Sequence, residues 1–308
     1  MTHVPDTRPL TLLCVGECMV ELAQLSSDTY RRGFAGDTFN TAWYARRLLP
    51  ENEGIGYLSA IGTDTASAEM QAFMGSAGID TSPLREVPDR TVGLYMISTD
   101  HGERSFSYWR GQSAARLLAA DEAWLSTHLG CARMVHFSGI TLAILSPDHR
   151  LRLTDALNAA RASGVTVSFD TNLRPRLWES EDAMKAGLVL GASAADIVLP
   201  SFDEETVLFG DAGPDDTIAR YREAGATTVV VKNGAEPLVA TSPETGQFTL
   251  TPTPVGRVID STAAGDSFAA GLLSGLAMGQ PLPEAAQRAM DLAARVIQAP
   301  GALVEDAV

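Results

Sequence analysis

"MVHFSGITLAILSPDHRLRLTDALNAARASGVTVSFD", residues 134–170, holds the fold in miniature. Its two ends, MVHFSG (134–139) and VTVSFD (165–170), are short apolar runs that read as buried strands. Between them SPDHRLRLTDALNAARASG (146–164) has the apolar spacing of an amphipathic helix. A helical crossover joins strands that run parallel. The same alternation recurs along the chain. LTLLCVG (10–16), IGYLSAIG (55–62), DIVLPS (196–201) and TTVVVKN (227–233) read as further strands. NTAWYARRLL (40–49) and PDDTIARYREAG (214–225) read as further helices. That pattern predicts an α/β fold with a mostly parallel sheet covered on both faces. No repeat, low-complexity tract or linker interrupts it, so residues 1–308 are read as one domain.

One region departs from the pattern. TVGLYMIST (91–99) and RSFSYWR (104–110) alternate in polarity and flank DHGE, a hairpin-like turn with Gly102. A hairpin does not join neighbours of a parallel sheet. A small separate sheet is expected, contributed by about 18–35 and 89–112, and hanging over the large sheet as a lid.

Composition narrows the class. A chain of 308 residues, 45% hydrophobic and 20% charged, is an ordinary globular protein. Its net charge of −15 argues against a nucleic-acid surface, which needs clustered Lys and Arg. A small anionic substrate is still compatible, because a few buried Arg oppose the global field locally. No apolar run reaches the ~18 residues of a membrane helix, and MTHVPDTRPL at the start lacks a signal-peptide core. Cys14, Cys18 and Cys131 form no CxxC pair, so reduced thiols and a cytoplasmic location are expected.

The stretch DSTAAGDSFAAG (260–271) carries chemistry. GRVID (256–260) reads as a strand end, and a helix is expected to begin near Gly265. The backbone N–H groups of Ala263, Ala264, Gly265 and Asp266 then face outward, and the absence of bulky side chains lets an anion approach them. Two readings of Asp266 compete: a helix cap, or a base that takes a proton from an attacking hydroxyl. There is no GxxxxGK[ST] and no strand followed by GxGxxG, which closes the P-loop and dinucleotide routes.

DSTAAGDSFAAG closely resembles the C-terminal signature of the ribokinase-like, or PfkB, carbohydrate kinases, D-T-x-G-A-G-D-x-F. GFAGDTFNTAWYARRL (33–48) resembles their first signature, G-G-x-x-x-N-x-A. Ala263 and Ala35 each stand where that family usually has Gly. The resemblance spans essentially the whole chain. It implies a three-layer α/β/α sandwich with a mostly parallel central sheet and a small β-sheet lid. It also implies ATP-dependent phosphorylation of a sugar hydroxyl, with Asp266 as base and the 263–266 amides as an anion hole. ATP and Mg²⁺ are the implied cofactors, with a monovalent cation as a further candidate.

GECMVEL (16–22), AGDTFNTA (35–42), YWRGQSAAR (108–116), DTNLRPRLW (170–178) and VVVKNG (229–234) resemble one branch, the 2-keto-3-deoxygluconate kinases. A sugar acid carries a carboxylate, which Arg reads bidentately. Arg110 ends a lid strand on the same face as Phe106 and Tyr108, and Arg174 lies in the loop after the strand 165–170. Both are candidates for the carboxylate, with a solvated strand end and a pair with Asp170 as their respective structural alternatives. Gly36, Asp37 and Asn40 are candidates for the sugar hydroxyls; Asn40 is otherwise a helix-start residue. Tyr95 and Tyr108 cover the sugar, or Tyr95 is a lid-core aromatic.

The resemblance places Lys232, Asn233, Gly234 and Ser201 at the nucleotide, and Glu204 at Mg²⁺ through water. Glu21 falls near an early substrate-binding Asp of the family. The expected partners are a sugar acid, ATP and, through the exposed lid edges, a second copy of the chain. Two alternatives stand beside this reading: a kinase of a neutral sugar such as fructose, and a catalytically silent sensor.

Overall fold

The computed structural model describes residues 10–100 and 103–308. The N-terminal stretch 1–9 and the centre of the expected hairpin turn, with Gly102, lie outside the described residues. Thirteen strands are present among the rest: β1 (Leu10–Val15), β2 (Met19–Gln24), β3 (Tyr30–Ala35), β4 (Ile55–Ile61), β5 (Leu84–Glu86), β6 (Gly93–Asp100), β7 (Glu103–Trp109), β8 (Ala132–Ser138), β9 (Thr166–Asp170), β10 (Ile197–Leu199), β11 (Thr228–Val231), β12 (Leu238–Ser242) and β13 (Gly246–Leu250). Nine of them form one sheet in the order β13-β12-β11-β10-β9-β8-β1-β4-β5. It is parallel from β5 to β11, and β12 and β13 close it as an antiparallel hairpin.

Alternation along each strand divides the core between two faces. On β1, Leu12 and Cys14 pack into one layer, and Leu13 and Val15 into the other. The first layer is closed by helices Asp37–Leu48, Ala264–Ala277 and Leu282–Val296, which contribute Phe39, Leu272 and Ala286. The second is closed by helices Glu122–Leu129, Pro147–Ala162, Glu181–Ser193 and Pro214–Glu223. Helix Pro147–Ala162 illustrates how sequence makes such an element. Ser146 caps it by accepting from the His149 amide, and Pro147 occupies the first turn. Its buried stripe, Leu153, Ala156, Leu157 and Ala160, keeps helical spacing. Gly164, at φ +95°, follows its end and turns the chain into β9.

The lid is a separate four-stranded sheet, β3-β2-β6-β7. β6 and β7 pair antiparallel, with Tyr95 opposite Tyr108 and Ile97 opposite Phe106. Arg110 falls one residue past the end of β7 rather than within it.

One local expectation fails. Residues 256–260 form no strand. Their backbone turns instead toward the end of helix Leu282–Val296, where the Ile259 and Asp260 amides both donate to the Ile297 carbonyl. The Asp260 carboxylate accepts from the Gly301 amide at 2.7 Å, which ties the turn to the C-terminal segment. Those bonds take the place of a sheet ladder. Cys14 and Cys18 are buried free thiols and Cys131 an exposed one. Among the described residues no helix is long and apolar enough to cross a membrane.

Candidate active site

The carboxyl ends of β1, β8, β9, β10 and β11 converge on one cleft, with the starts of two helices facing them. This edge is where open α/β sheets collect ligands. Helix Asp37–Leu48 enters from Gly36, whose backbone is extended. A side chain at Gly36 would fall on the Glu17 carbonyl, so only glycine fits the approach. Helix Ala264–Ala277 enters from Ala263, held in the left-handed region at φ +61°.

Asp266 sits in the first turn of that second helix. Its carboxylate accepts from Asn40 Nδ2 at 2.7 Å, and its carbonyl accepts from Thr41 Oγ1 at 3.2 Å. Burial and the nearby charge of Asp37 push its carboxyl up to about 7; the Asn40 hydrogen bond and Arg174 work in the opposite direction. Asp37 is raised as well, by burial, although its Oδ2 accepts from Ser138 Oγ at 2.5 Å and from Asn172 Nδ2 at 3.0 Å. A cap would need its carboxylate turned to the helix amides. Asp266 turns toward Asn40 instead.

The helix start supplies donors. Among the described residues the amides of Ala263, Gly265 and Asp266 have no hydrogen-bond partner, while that of Ala264 donates to the Ser261 carbonyl at 3.2 Å. Of the four amides 263–266, that of Ala264 alone is engaged among the described residues. Lys232 stands beside this turn: a methyl group on Gly265 would lie 3.4 Å from Nζ. Both oxygens of Asp170, at the end of β9, hold that ammonium at 2.9 Å. Ser201 pairs with Lys232 in a β-bridge, and Gly234 turns the chain at φ +58° just beyond Asn233, whose side chain reaches the Pro237 carbonyl. The four residues expected at the nucleotide thus lie at or just beyond the ends of β10 and β11, and Lys232 among them reaches the helix start.

The two arginines arrive from different elements. Arg110, from the lid, donates from Nε to the buried carboxylate of Glu17 at 2.7 Å, and from Nη2 to the same oxygen. Arg174 pairs with Glu204 at 3.1 Å, and not with Asp170, because Lys232 already occupies Asp170. Both guanidinium charges act on Asp37, and Arg174 acts on Asp266 too. Tyr95 is buried in the lid with its hydroxyl donated to Glu21, its ring 5.9 Å from Tyr108.

Glu204 has both oxygens engaged, one by the Leu173 amide at 3.1 Å and one by Arg174. Burial raises its carboxyl. Among the described residues no cluster of three or more His, Cys, Asp or Glu is arranged to hold a metal alone. That donor set suits a Mg²⁺ carried in on phosphates, which needs only one or two carboxylates and otherwise keeps water.

Glu17, Ser138 and Asn172 were not singled out by sequence reasoning. Asn172 follows β9 in the left-handed region, at φ 32°, a conformation Asn tolerates. Its place in DTNLRPRLW was the only available signal, and Glu17 likewise lay within GECMVEL.

The pattern of the pfkB family carbohydrate kinases matches residues 10–306. The 2-dehydro-3-deoxygluconokinase of Dickeya dadantii (strain 3937) is 40% identical over 296 residues, covering 94% of this chain and 95% of that protein. Among solved structures, a PfkB protein from Polaromonas sp. JS666 aligns with a TM-score of 0.82 at 32% identity, over 94% of this chain and 96% of the other. A fructokinase with bound ATP from Xylella fastidiosa aligns with a TM-score of 0.80 at 25% identity, over 95% and 93%.

Proposed function

Because the chain belongs to the pfkB family of carbohydrate kinases, we propose that it transfers the γ-phosphoryl group of ATP to the terminal hydroxyl, O6, of 2-dehydro-3-deoxygluconate. One observation carries the substrate class. Arg110 from the lid, paired with buried Glu17, and Arg174 from the β9 loop, paired with Glu204, both act electrostatically on Asp37, beside Asp266. A neutral sugar needs neither cation, whereas a sugar carboxylate is read by Arg through charge and fork geometry. The 2-dehydro-3-deoxygluconokinase relative, similar along nearly its full length, supports the same choice.

Each residue then has a task. Asp266 accepts the proton of O6 as that oxygen attacks the γ-phosphoryl, and Asn40 fixes the carboxylate for it. Its raised carboxyl makes it a stronger base than an exposed aspartate. The amides of Ala263, Gly265 and Asp266, with Lys232, oppose the negative charge of the moving group. Asp37 receives sugar hydroxyls from a position set by Ser138 and Asn172. Closure of the lid excludes water from the transfer. A Mg²⁺ bound with the nucleotide would neutralise phosphate charge, with Glu204 holding one of its waters.

The lid also proposes an assembly. β7 is an edge strand on which Tyr108 is 54% and Trp109 57% exposed, and two lids interlocked as a homodimer would cover both. Sedimentation of wild type against Trp109→Glu tests this; a monomeric wild type rejects it.

The activity is tested by ADP release with MgATP across sugar acids and neutral sugars. Turnover highest on 2-dehydro-3-deoxygluconate is expected. A preference for fructose would overturn the substrate, and no ADP release with any sugar would favour the silent sensor.

A further inference from the structure

We propose that Glu17 is a positioning residue that sets the angle at which Arg110 meets the sugar carboxylate. The proposal deepens the sugar-acid reading above and rests on it. Glu17 follows β1 at its carboxyl end and is 1% exposed. A single oxygen of it, Oε2, takes both Nε and Nη2 of Arg110. One edge of the guanidinium is thereby locked, and among the described residues nothing takes Nη1, the edge left for a substrate. The pair has room only because position 93 is glycine. A methyl group there would lie 2.7 Å from Glu17 Oε1 and 3.3 Å from Arg110 Cβ. The backbone of the same residue abuts the other half of the site, since the Glu17 carbonyl fills the space beside Gly36, where the helix carrying Asp37 and Asn40 begins. Glu17 therefore fixes a lid cation relative to the hydroxyl-binding helix.

Stability alone does not account for it. Glu17 Oε1 is buried without a partner, and a buried ion pair with an unsatisfied oxygen is commonly worth less than apolar packing of equal volume. A positioning role gives that cost a purpose.

The test is a double-mutant cycle read in steady-state kinetics: Glu17→Gln and Glu17→Asp, each in wild-type and Arg110→Ala backgrounds, with thermal melting to verify folding. Misorienting one charged contact is expected to raise KM for the sugar acid about tenfold in Glu17→Gln, with kcat and KM for ATP changed by less than about twofold. Glu17→Asp, which keeps the charge on a shorter arm, should fall between the two and carries the cycle if Glu17→Gln does not fold. In the Arg110→Ala background either change should add less than about twofold, because the group it orients is gone. An equal rise in KM with and without Arg110, or no rise in wild type, overturns the proposal. Arg110→Ala that leaves KM for the sugar acid unchanged overturns the carboxylate reading itself, a separate and distinguishable failure.

Discussion

Asn40 and Asp266 stand 226 residues apart in the chain and meet at 2.7 Å, amide to carboxylate. The bond joins the starts of two helices across the cleft, and it orients the carboxylate proposed above as the base. Replacing Asp266 by Asn keeps the size and loses the base. Turnover should fall by at least ~10²-fold, the usual worth of general-base help, while binding of ATP and sugar acid stays nearly normal. Rapid-quench turnover with parallel calorimetric titration measures both. Near-wild-type turnover would remove Asp266 from the chemistry.

The pH dependence follows from the same carboxylates. Asp266 is raised to about 7, so the ionised base is lost as pH falls through that value, and kcat/KM should decline on the acid side of neutrality. The charge of Asp37 is the second cause of that rise, after burial. Asp37→Asn removes it, and the acid limb should then move to lower pH even if overall activity drops. A limb unmoved in Asp37→Asn would dissociate the two groups.

Stability provides an independent check on the sign. The folded carboxyl of Asp266 lies above its ordinary value of 3.8, so the folded state holds the proton more tightly than the unfolded chain. That contribution is present at low pH and lost as pH rises through about 7. Asp266→Asn should therefore melt a few degrees above wild type at pH 8, with the gain shrinking toward pH 4. A constant difference across that range would exclude titration of Asp266 as the cause.

Much of the architecture was legible because apolar period is a local property. The runs 134–139 and 165–170, with a helical crossover between them, are expected to run parallel, and β8 and β9 are so paired. Residues 256–260 misled for the same reason: GRVID has a strand's composition, yet its hydrogen bonds go to Ile297, a partner nearly forty positions away that no local pattern reveals. The site behaved likewise. Asp266, Asn40 and Lys232 announced themselves through short motifs, whereas Glu17 matters only because the lid brings Arg110 onto it. Arg174 lies in the loop after β9, and the structural alternative read for it, a pair with Asp170, is not formed: it pairs with Glu204. Lys232 had already claimed Asp170 across β9 and β11, a long-range contact.

Ala263 holds a left-handed conformation, at φ +61°, in the turn proposed to face the moving phosphoryl group. That region costs an L-residue roughly 1–2 kcal/mol, partly offset against glycine by the latter's larger unfolded entropy. Ala263→Gly should leave activity within a few-fold and shift stability by less than about 1 kcal/mol. Ala263→Val adds a β-branched side chain where φ is positive and should distort the turn. Turnover of the valine variant is expected to fall by an order of magnitude or more if the 263–266 amides stabilise the moving phosphoryl group. Unimpaired turnover in a folded Ala263→Val protein would remove the turn from the chemistry.

Arg174 decides between an acidic and a neutral sugar. Its guanidinium is half exposed, held by Glu204 at 3.1 Å, and acts on both Asp37 and Asp266. If it meets a substrate carboxylate, Arg174→Ala should raise KM for the sugar acid while changing KM for ATP little. A hydrogen bond to a charged partner is worth roughly 1.5–3 kcal/mol, which corresponds to about tenfold to a hundredfold. The lower part of that range is expected, because solvent reaches the side chain and Glu204 shares its charge. An analogue with the carboxylate reduced to an alcohol should lose much less, since it never used the cation. Arg174→Lys should restore only part of the affinity, as an ammonium lacks the planar fork. Equal losses on acid and alcohol would instead mean that Arg174 supports the loop through Glu204, and the neutral-sugar reading would then lead.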